Sequence, residues 1–314
     1  MAKIAVELDR ALAERAANGA PGHLTTRVLA QGGGWSVTDV VCTSGPQDRP
    51  FEEQHAHVFI AIVAAGSFQC HSATGRELMT PGSLLLGNAG QWFECGHTHG
   101  AGDRCVSFGY TPEFFERLGA DAGIRGAKPD FRVLRLPPLR PLSQLAARAC
   151  AGLAGSVDIP WEELSVHVAA QTVQLAGGLV PNSNSTPPGA TARVTRTVRM
   201  IERHPGAGLT LGSLAREAGL SPYHFLRTFA RLTGVTPHQY VLRARLRAAA
   251  TRLAVEPARV LDIALDCGFG DVSNFNRAFR AEFGVSPRVY RLRTDGRAGT
   301  STGARSGPTS AWTR

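Results

Sequence analysis

"LTLGSLAREAGLSPYHFLRTFARLTGVTPHQY", residues 209–240, and "RVLDIALDCGFGDVSNFNRAFRAEFGVSPRVY", residues 259–290, spell one pattern twice. Ala215 and Gly219 recur as Ala264 and Gly268 at an offset of 49, while Phe225, Arg227, Phe229, Gly234, Val235, Pro237 and Tyr240 recur as Phe275, Arg277, Phe279, Gly284, Val285, Pro287 and Tyr290 at an offset of 50. A repeat seen twice, with one residue inserted in the second turn, is too short for a solenoid. It reads as two copies of one supersecondary unit.

Each unit reads as helix, turn, helix. In the first, Leu211, Leu214, Ala215 and Ala218 form a core-facing stripe that stops at Gly219, where a left-handed residue is easily accommodated. Ser221 before Pro222 is an N-cap followed by proline at the first helical position. Phe225, Leu226, Phe229 and Leu232 are then expected inside, leaving Tyr223, His224, Arg227, Thr228 and Arg231 outside. The second copy repeats this with Val260, Ile263, Ala264 and Cys267, a Gly268-Phe269-Gly270 turn, and Phe275, Phe279 and Phe283 inside. Its outer face carries Ser273, Asn274, Asn276, Arg277 and Arg280. Two short helices joined by a glycine-containing turn make the helix-turn-helix whose second helix enters the major groove of DNA. Arginine can bond guanine in two places and asparagine adenine, so these faces have reading chemistry. The plainer alternative, merely solvated helix faces, is weakened by the second copy.

Charge is an independent test. From Arg193 to Arg293 there are seventeen arginines and no lysine against seven carboxylates, a net charge of +10 in a chain whose total is +9. All the excess positive charge therefore sits on the repeated segment, the electrostatic footprint of a phosphate-binding module.

The residues here resemble the AraC/XylS-type bacterial transcription regulators. The resemblance spans Val194 to Leu292 and is most specific in "ALDCGFGDVSNFNRAFRAEFGVSPRVYR", departing at Asp271-Val272, where the family more often carries small polar residues. It implies an all-α, homeodomain-like double helix-turn-helix, with a long helix over roughly Pro237 to Val255 joining the units. Arg243, Arg245, Arg247 and Arg252 of that helix are expected partly to pair with acids such as Asp262 and partly to touch phosphates. The base-reading candidates are His224 and Arg227 in the first unit and Asn274, Asn276 and Arg277 in the second, with Tyr223, Arg231, Ser273 and Arg280 beside them.

A length of 314 residues, 43 % hydrophobic and 19 % charged, suits two domains with their own cores. The first nineteen residues carry acids and no signal-peptide apolar core, and no apolar run is long enough to span a bilayer, so a cytoplasmic protein is expected, with thiols rather than disulfides. Residues 1–23 are an N-terminal segment. From about Leu24 to Tyr110 the short aliphatic or alternating runs "WSVTDVVC", "HVFIAIVAAGSFQCHS", "ELMTPGSLLLGN", "QWFECGH" and "DRCVSFGY" predict a small β-barrel or jelly roll. "HAH" and "TPGSLLLG" resemble the cupin pattern, the usual sensory domain on this DNA-binding module. The expected fold is therefore α+β and multidomain. Residues 111–176 read as a helical extension, packing on the barrel or forming a dimer contact. Residues 177–193 read as a linker, 194–293 as the DNA-binding domain, and 294–314 as a disordered tail whose Arg297, Arg305 and Arg314 would add at most non-specific DNA affinity.

Cupin enzymes hold a metal with two histidines, a glutamate and a later histidine. Here His55 and His57 are present, but no glutamate follows within a few residues and no histidine follows Pro81-Gly82 at the usual place. A second cluster is Cys95, His97 and His99, with Cys105 beyond and Cys70 and His71 upstream. Strand alternation would set Cys95, His97 and His99 on one face beside His55 and His57, as zinc or another divalent metal would require. The spacing matches no established zinc module and so favours the other reading, histidines lining a ligand pocket or sitting on the surface and cysteines serving as small core residues.

The expected function is sequence-specific regulation of transcription. Double-stranded promoter DNA, a second copy of the chain, an unknown small-molecule effector and, for an activator, RNA polymerase are the partners; no membrane and no obligatory cofactor are expected. The alternatives are a cupin-type metalloenzyme fused to a DNA-binding module and a nucleoid protein without sequence preference.

Overall fold

The computed structural model describes residues 3–121, 130–153, 159–177 and 189–295. A helix, α1 (Lys3–Asn18), precedes nine strands: β1 (Leu24–Gly32), β2 (Trp35–Cys42), β3 (Phe51–Gln54), β4 (Val58–Gly66), β5 (Phe68–Ser72), β6 (Gly75–Met79), β7 (Leu84–Gly87), β8 (Trp92–Gly96) and β9 (Asp103–Tyr110). Then come α2 (Pro112–Asp121), a two-residue strand β10 (Arg135–Leu136), a 3-10 turn (Arg140–Leu142), α3 (Ser143–Leu153) and α4 (Trp161–Ala176). The strands form two antiparallel sheets, ordered β1-β2-β9-β4-β7-β10 and β3-β8-β5-β6.

The run "VFIAIVAAG" is apolar without alternation because β4 is covered on both faces. Val58, Ile60 and Ile62 pack with Val106, Phe108 and the helices α2 to α4, while Phe59, Ala61 and Val63 turn inward to meet Phe68, Cys70, Phe93 and Cys95 of the second sheet. Two glycines let strands close in. A Cβ on Gly87 would lie 1.9 Å from the Phe59 ring, and Gly66, at φ +76°, lies so close to the Gly102 carbonyl that a Cβ would sit 2.2 Å from it. The sheet is tied internally by Arg104 of β9, fully buried, whose Nε and Nη2 donate to Asp39 of β2 at 2.9 and 2.8 Å while Nη1 pairs with Glu7 of α1 at 2.6 Å.

The C-terminal half is helical: α5 (Ala190–Arg203), α6 (Leu211–Glu217), α7 (Pro222–Thr233), α8 (Pro237–Val255), α9 (Val260–Asp266), α10 (Val272–Phe283) and α11 (Pro287–Asp295). The sequence repeat is repeated in space. Phe225, Phe229 and Tyr240 form one aromatic cluster of tilted and edge-to-face rings, with centroid spacings of 5.3 and 5.5 Å, and Phe275, Phe279 and Tyr290 form its counterpart at 5.4 Å each. Gly234 and Gly284 end α7 and α10 at φ +78° and +76°, the left-handed cap that only glycine adopts without strain.

Several boundaries differ from the sequence reading. α5 begins at Ala190, inside the stretch read as linker, and its Val194, Val198 and Ile201 complete the core of the first unit. The rest of that stretch, apart from Gly177 and Gly189, lies outside the described residues. α11 carries Thr294 and Asp295, the start of the stretch read as a tail; the remainder, with Arg297, Arg305 and Arg314, also lies outside them. Residues 3–18, read only as a leading segment, form a helix whose Leu8 joins the core between the six-stranded sheet and the helices that cover it. Among the described residues no helix is long and apolar enough to cross a membrane.

The two halves pack directly. Leu78 of β6 belongs to the core of the first helical unit and Ala147 of α3 to that of the second. Arg135 Nη1 donates to the Thr233 carbonyl at 2.8 Å, Arg140 Nε to the Ala281 carbonyl at 2.6 Å, and Ser143 Oγ to Glu282. Thr233 is the last residue of α7, and Ala281 and Glu282 lie in the last turn of α10. A short segment of the barrel domain, residues 135–143, thus touches the C-terminal ends of both of these helices.

Candidate nucleic-acid interface and sensory cavity

The α7 helix is started by Ser221, whose side chain accepts from the His224 amide, and α10 by Asp271, which accepts from the Asn274 amide at 2.7 Å. Asp271 therefore has a definite task at the place where the sequence departs from the family pattern. Beyond these caps, Tyr223, His224 and Arg227 of α7 and Ser273, Asn274, Asn276, Arg277 and Arg280 of α10 are exposed, while Arg231 is half-buried. The outer faces are lightly organised. Arg227 stacks over the Tyr223 ring with its Cζ 5.7 Å from the centroid, His224 Nδ1 lies 2.8 Å from Ser221 Oγ, and Arg277 Nη2 reaches Asn274 Oδ1 at 3.4 Å. None of these arginines forms an ion pair with a carboxylate among the described residues. They keep their charge available for a polyanion.

Both units open on one groove of about 500 Å³, bounded by Leu226 of α7 and Asn274 of α10, with Leu211, His238, Arg245 and Phe269 between. Leu211 and Leu226, expected in the core stripes, are 40 % and 37 % exposed along this groove. The joining helix spans the expected residues, and its arginines act as braces. Arg243 pairs with Glu282 at 3.3 Å, Arg247 with Glu202 at 2.5 Å, and Arg252 with Glu256 and Asp266 at 2.8 and 2.9 Å, rather than with Asp262. Arg245 donates to the carbonyls of Pro205 and Ala207 at 2.8 and 2.9 Å. Burial alone works against the charge on Arg247, but Glu202 outweighs it and holds its pKa above the ordinary value.

Between the two sheets of the barrel lies a cavity of about 420 Å³. Phe51, Phe59 and Phe93 supply aromatic walls, Val28 and Val40 aliphatic ones, and Glu53, His55, His57, Asp103 and Ser107 polar atoms. His55 is stacked on Phe93, centroids 5.3 Å apart, with its Nε2 2.9 Å from Glu53. Cys95 also lines the cavity, its thiol 3.4 Å from that of Cys70 on the neighbouring strand.

The structure does not bring Cys95, His97, His99, His55 and His57 together as one ligand set. Strand β8 ends at Gly96, so alternation stops before the two histidines. His97 is buried, its Nε2 2.7 Å from Asp103 Oδ1, whereas His99 lies at the surface beside Arg196, Arg199 and Arg203 of α5. Three donors do converge in the described residues, and they are a different set: Cys42, His97 and Asp103, with all ligand atoms within 4.8 Å of one another. Burial first, and then the charge of Asp103, push the Cys42 thiol up to about 11.

Comparison with known proteins follows the same division. Residues 40–175 match the AraC-like ligand binding domain and residues 214–293 a helix-turn-helix domain. The chain thus carries an AraC-like ligand-binding domain joined to a helix-turn-helix domain. The probable transcriptional regulator LumQ of Photobacterium leiognathi is 37 % identical over 92 residues, covering 29 % of this chain and 37 % of LumQ. The transcriptional activator NphR of Rhodococcus sp is 40 % identical over 105 residues, 32 % of this chain and 30 % of NphR. The matched segments thus span about a third of the length of these relatives. Among solved structures, the DNA-binding domain of AdpA, the global transcriptional factor, in complex with a target DNA, aligns at 27 % identity over 37 % of this chain and 100 % of that chain, with a TM-score of 0.33.

Proposed function

We propose that the chain is a ligand-responsive transcription regulator that reads double-stranded promoter DNA with α7 and α10. The observation that carries the reading is the pair of exposed polar faces, Tyr223, His224 and Arg227 on α7 and Ser273, Asn274, Asn276, Arg277 and Arg280 on α10, on two helices that meet one groove through Leu226 and Asn274, in a segment of net charge +10. Asn274, Asn276, Arg227, Arg277 and His224 supply base-edge chemistry, and Tyr223, Arg231, Ser273 and Arg280 flank them for phosphate contact. The barrel cavity takes a small molecule with an apolar or aromatic body, held among Phe51, Phe59 and Phe93, with a polar group toward Glu53 and His55. A second copy of the chain and, for activation, RNA polymerase complete the assembly. In its working state the protein sits in the cytoplasm, on the nucleoid.

Leu85 of β7 lines the cavity and is the register partner of Arg135 in β10, so occupancy is felt where the barrel touches the ends of α7 and α10. The test is selection of bound sites from random DNA across a salt series. Enrichment of two sequence blocks about one helical repeat, ~10 base pairs, apart is expected. Uniform retention of all sequences, weakening together with salt, would leave only a non-specific binder.

A further inference from the structure

The turn between β8 and β9 holds a group of side chains that neither DNA reading nor cavity walls account for. Cys42 ends β2, His97 follows β8 and Asp103 opens β9, so three elements deliver one ligand atom each to a region 4.8 Å across. All three residues are buried. One ring nitrogen of His97 faces Asp103, and the other, Nδ1, is buried with no hydrogen-bond partner. Nδ1 points away from Asp103, so the nitrogen that can share an ion with the Asp103 carboxylate is Nε2, the ion taking the place of their hydrogen bond. Asp103 is steadied from the other side, its Oδ2 accepting from the Cys105 thiol at 3.4 Å. Arg199 of α5, the guanidinium bound to this turn, spends its donors on Ala101, Gly102 and Ser67. It forms no ion pair with Asp103 among the described residues.

We propose that Cys42, His97 and Asp103 are the protein ligands of a divalent metal of the zinc class, with the Cys105 thiol orienting the Asp103 carboxylate. Thiolate, imidazole and carboxylate are the donor types that such a borderline-soft ion accepts together. A tetrahedral ion with bonds of about 2.0–2.3 Å spaces its ligand atoms by about 3.3–3.8 Å, so the His97 and Asp103 atoms, now 2.7 Å apart, open to admit it while Cys42, within 4.8 Å of both, closes in. Three protein ligands leave a fourth position. Cys42 and Asp103 also line the barrel cavity, so that position faces it and is filled by water or by a donor atom of the molecule bound there. The metal also ties down the turn that Arg199 grips, where a Cβ on Gly100 would lie 2.2 Å from the guanidinium carbon. Loading therefore firms the contact between the barrel and α5.

The site is tested on the full chain, purified without an affinity tag under reducing conditions and then titrated with zinc or cobalt(II). About one ion per chain is expected, with cobalt giving a thiolate charge-transfer band and the visible bands of a tetrahedral centre. Cys42→Ser should abolish the charge-transfer band. His97→Ala and Asp103→Asn should weaken zinc binding at least tenfold, while Cys95→Ser, which removes a cysteine outside the set, leaves binding intact. Below about a tenth of an ion per chain after reconstitution, the proposal is overturned. It is equally overturned when Cys42→Ser keeps the charge-transfer band or when Cys95→Ser alone removes it. The readout is independent of DNA binding, so it stands or falls separately from the regulatory reading.

Discussion

Arg135 pairs with Glu77 through Nε and Nη2 at 2.9 and 2.8 Å while its Nη1 donates to the carbonyl of Thr233 at 2.8 Å. One buried guanidinium thereby binds the barrel and the C-terminal end of α7 at once, and Gly234 is packed so closely on Pro137 that a Cβ there would lie 2.5 Å from it. Arg135→Met should leave Glu77 unpaired and the Thr233 carbonyl without its donor, costing roughly 3 kcal/mol in urea unfolding. Faster amide exchange in residues 233–236, with exchange in α8 unchanged, is the local signature. Unaltered exchange there would mean that the contact does not hold the two halves together.

Arg277→Ala should weaken binding to the preferred site by roughly 1–3 kcal/mol and flatten the preference at one base pair, as should Arg227→Ala at a different one. Competition assays with singly substituted operators at fixed salt measure this. Equal weakening on every sequence, with the salt slope reduced by about one, would reassign the arginine to phosphate.

Burial on its own raises the pKa of Asp39, but the hydrogen bonds from Arg104 and Arg27 overcome it and hold the carboxyl below its usual value. A carboxyl with a depressed folded-state pKa contributes stability above its unfolded value, about 3.9, and loses it as pH falls through the folded value. Asp39→Asn removes one carboxylate from a fully buried arginine and should cost about 3–5 kcal/mol at neutral pH. The gap between wild type and variant should be flat above about pH 5 and narrow below about pH 4 in equilibrium unfolding. A constant gap down to pH 3 contradicts the ionised pairing.

Asp271→Ala should destabilise the protein by about 0.5–2 kcal/mol through the lost cap on α10, and Asp271→Ser should recover most of it. Thermal unfolding of the three proteins decides. A neutral alanine variant would show that α10 is positioned by Phe275, Phe279 and Phe283 alone.

The double helix-turn-helix was legible because its signals are local: stripes at helical spacing, glycine stops and Ser-Pro starts all lie within one unit. Leu211 and Leu226 mark the edge of that legibility. A stripe says which side is apolar but cannot distinguish a core from a groove shared by two units. The α5 helix was missed although Val194, Val198 and Ile201 carry the same spacing, since the Pro-, Ser- and Gly-rich composition before it was extended too far. The β texture was readable from strand-length runs, yet the gathering of Cys42, His97 and Asp103 was not. It depends on β2 and β9 pairing antiparallel across some sixty residues, with Cys42 opposite Asp103. Arg135, Arg140 and Arg199 were equally silent, each a single arginine whose importance comes from the carbonyl it meets in the other half.

Residues 135–143 hold the tails of both α7 and α10, so if these helices read DNA as proposed, the barrel would set the interval between two fingers on a ruler. A molecule that shifts this segment alters both grips together, so occupancy would be reported as a change in the tolerated gap between operator blocks rather than as a uniform gain or loss of affinity. Promoters differing only by an inserted base pair would then answer the same signal in opposite directions.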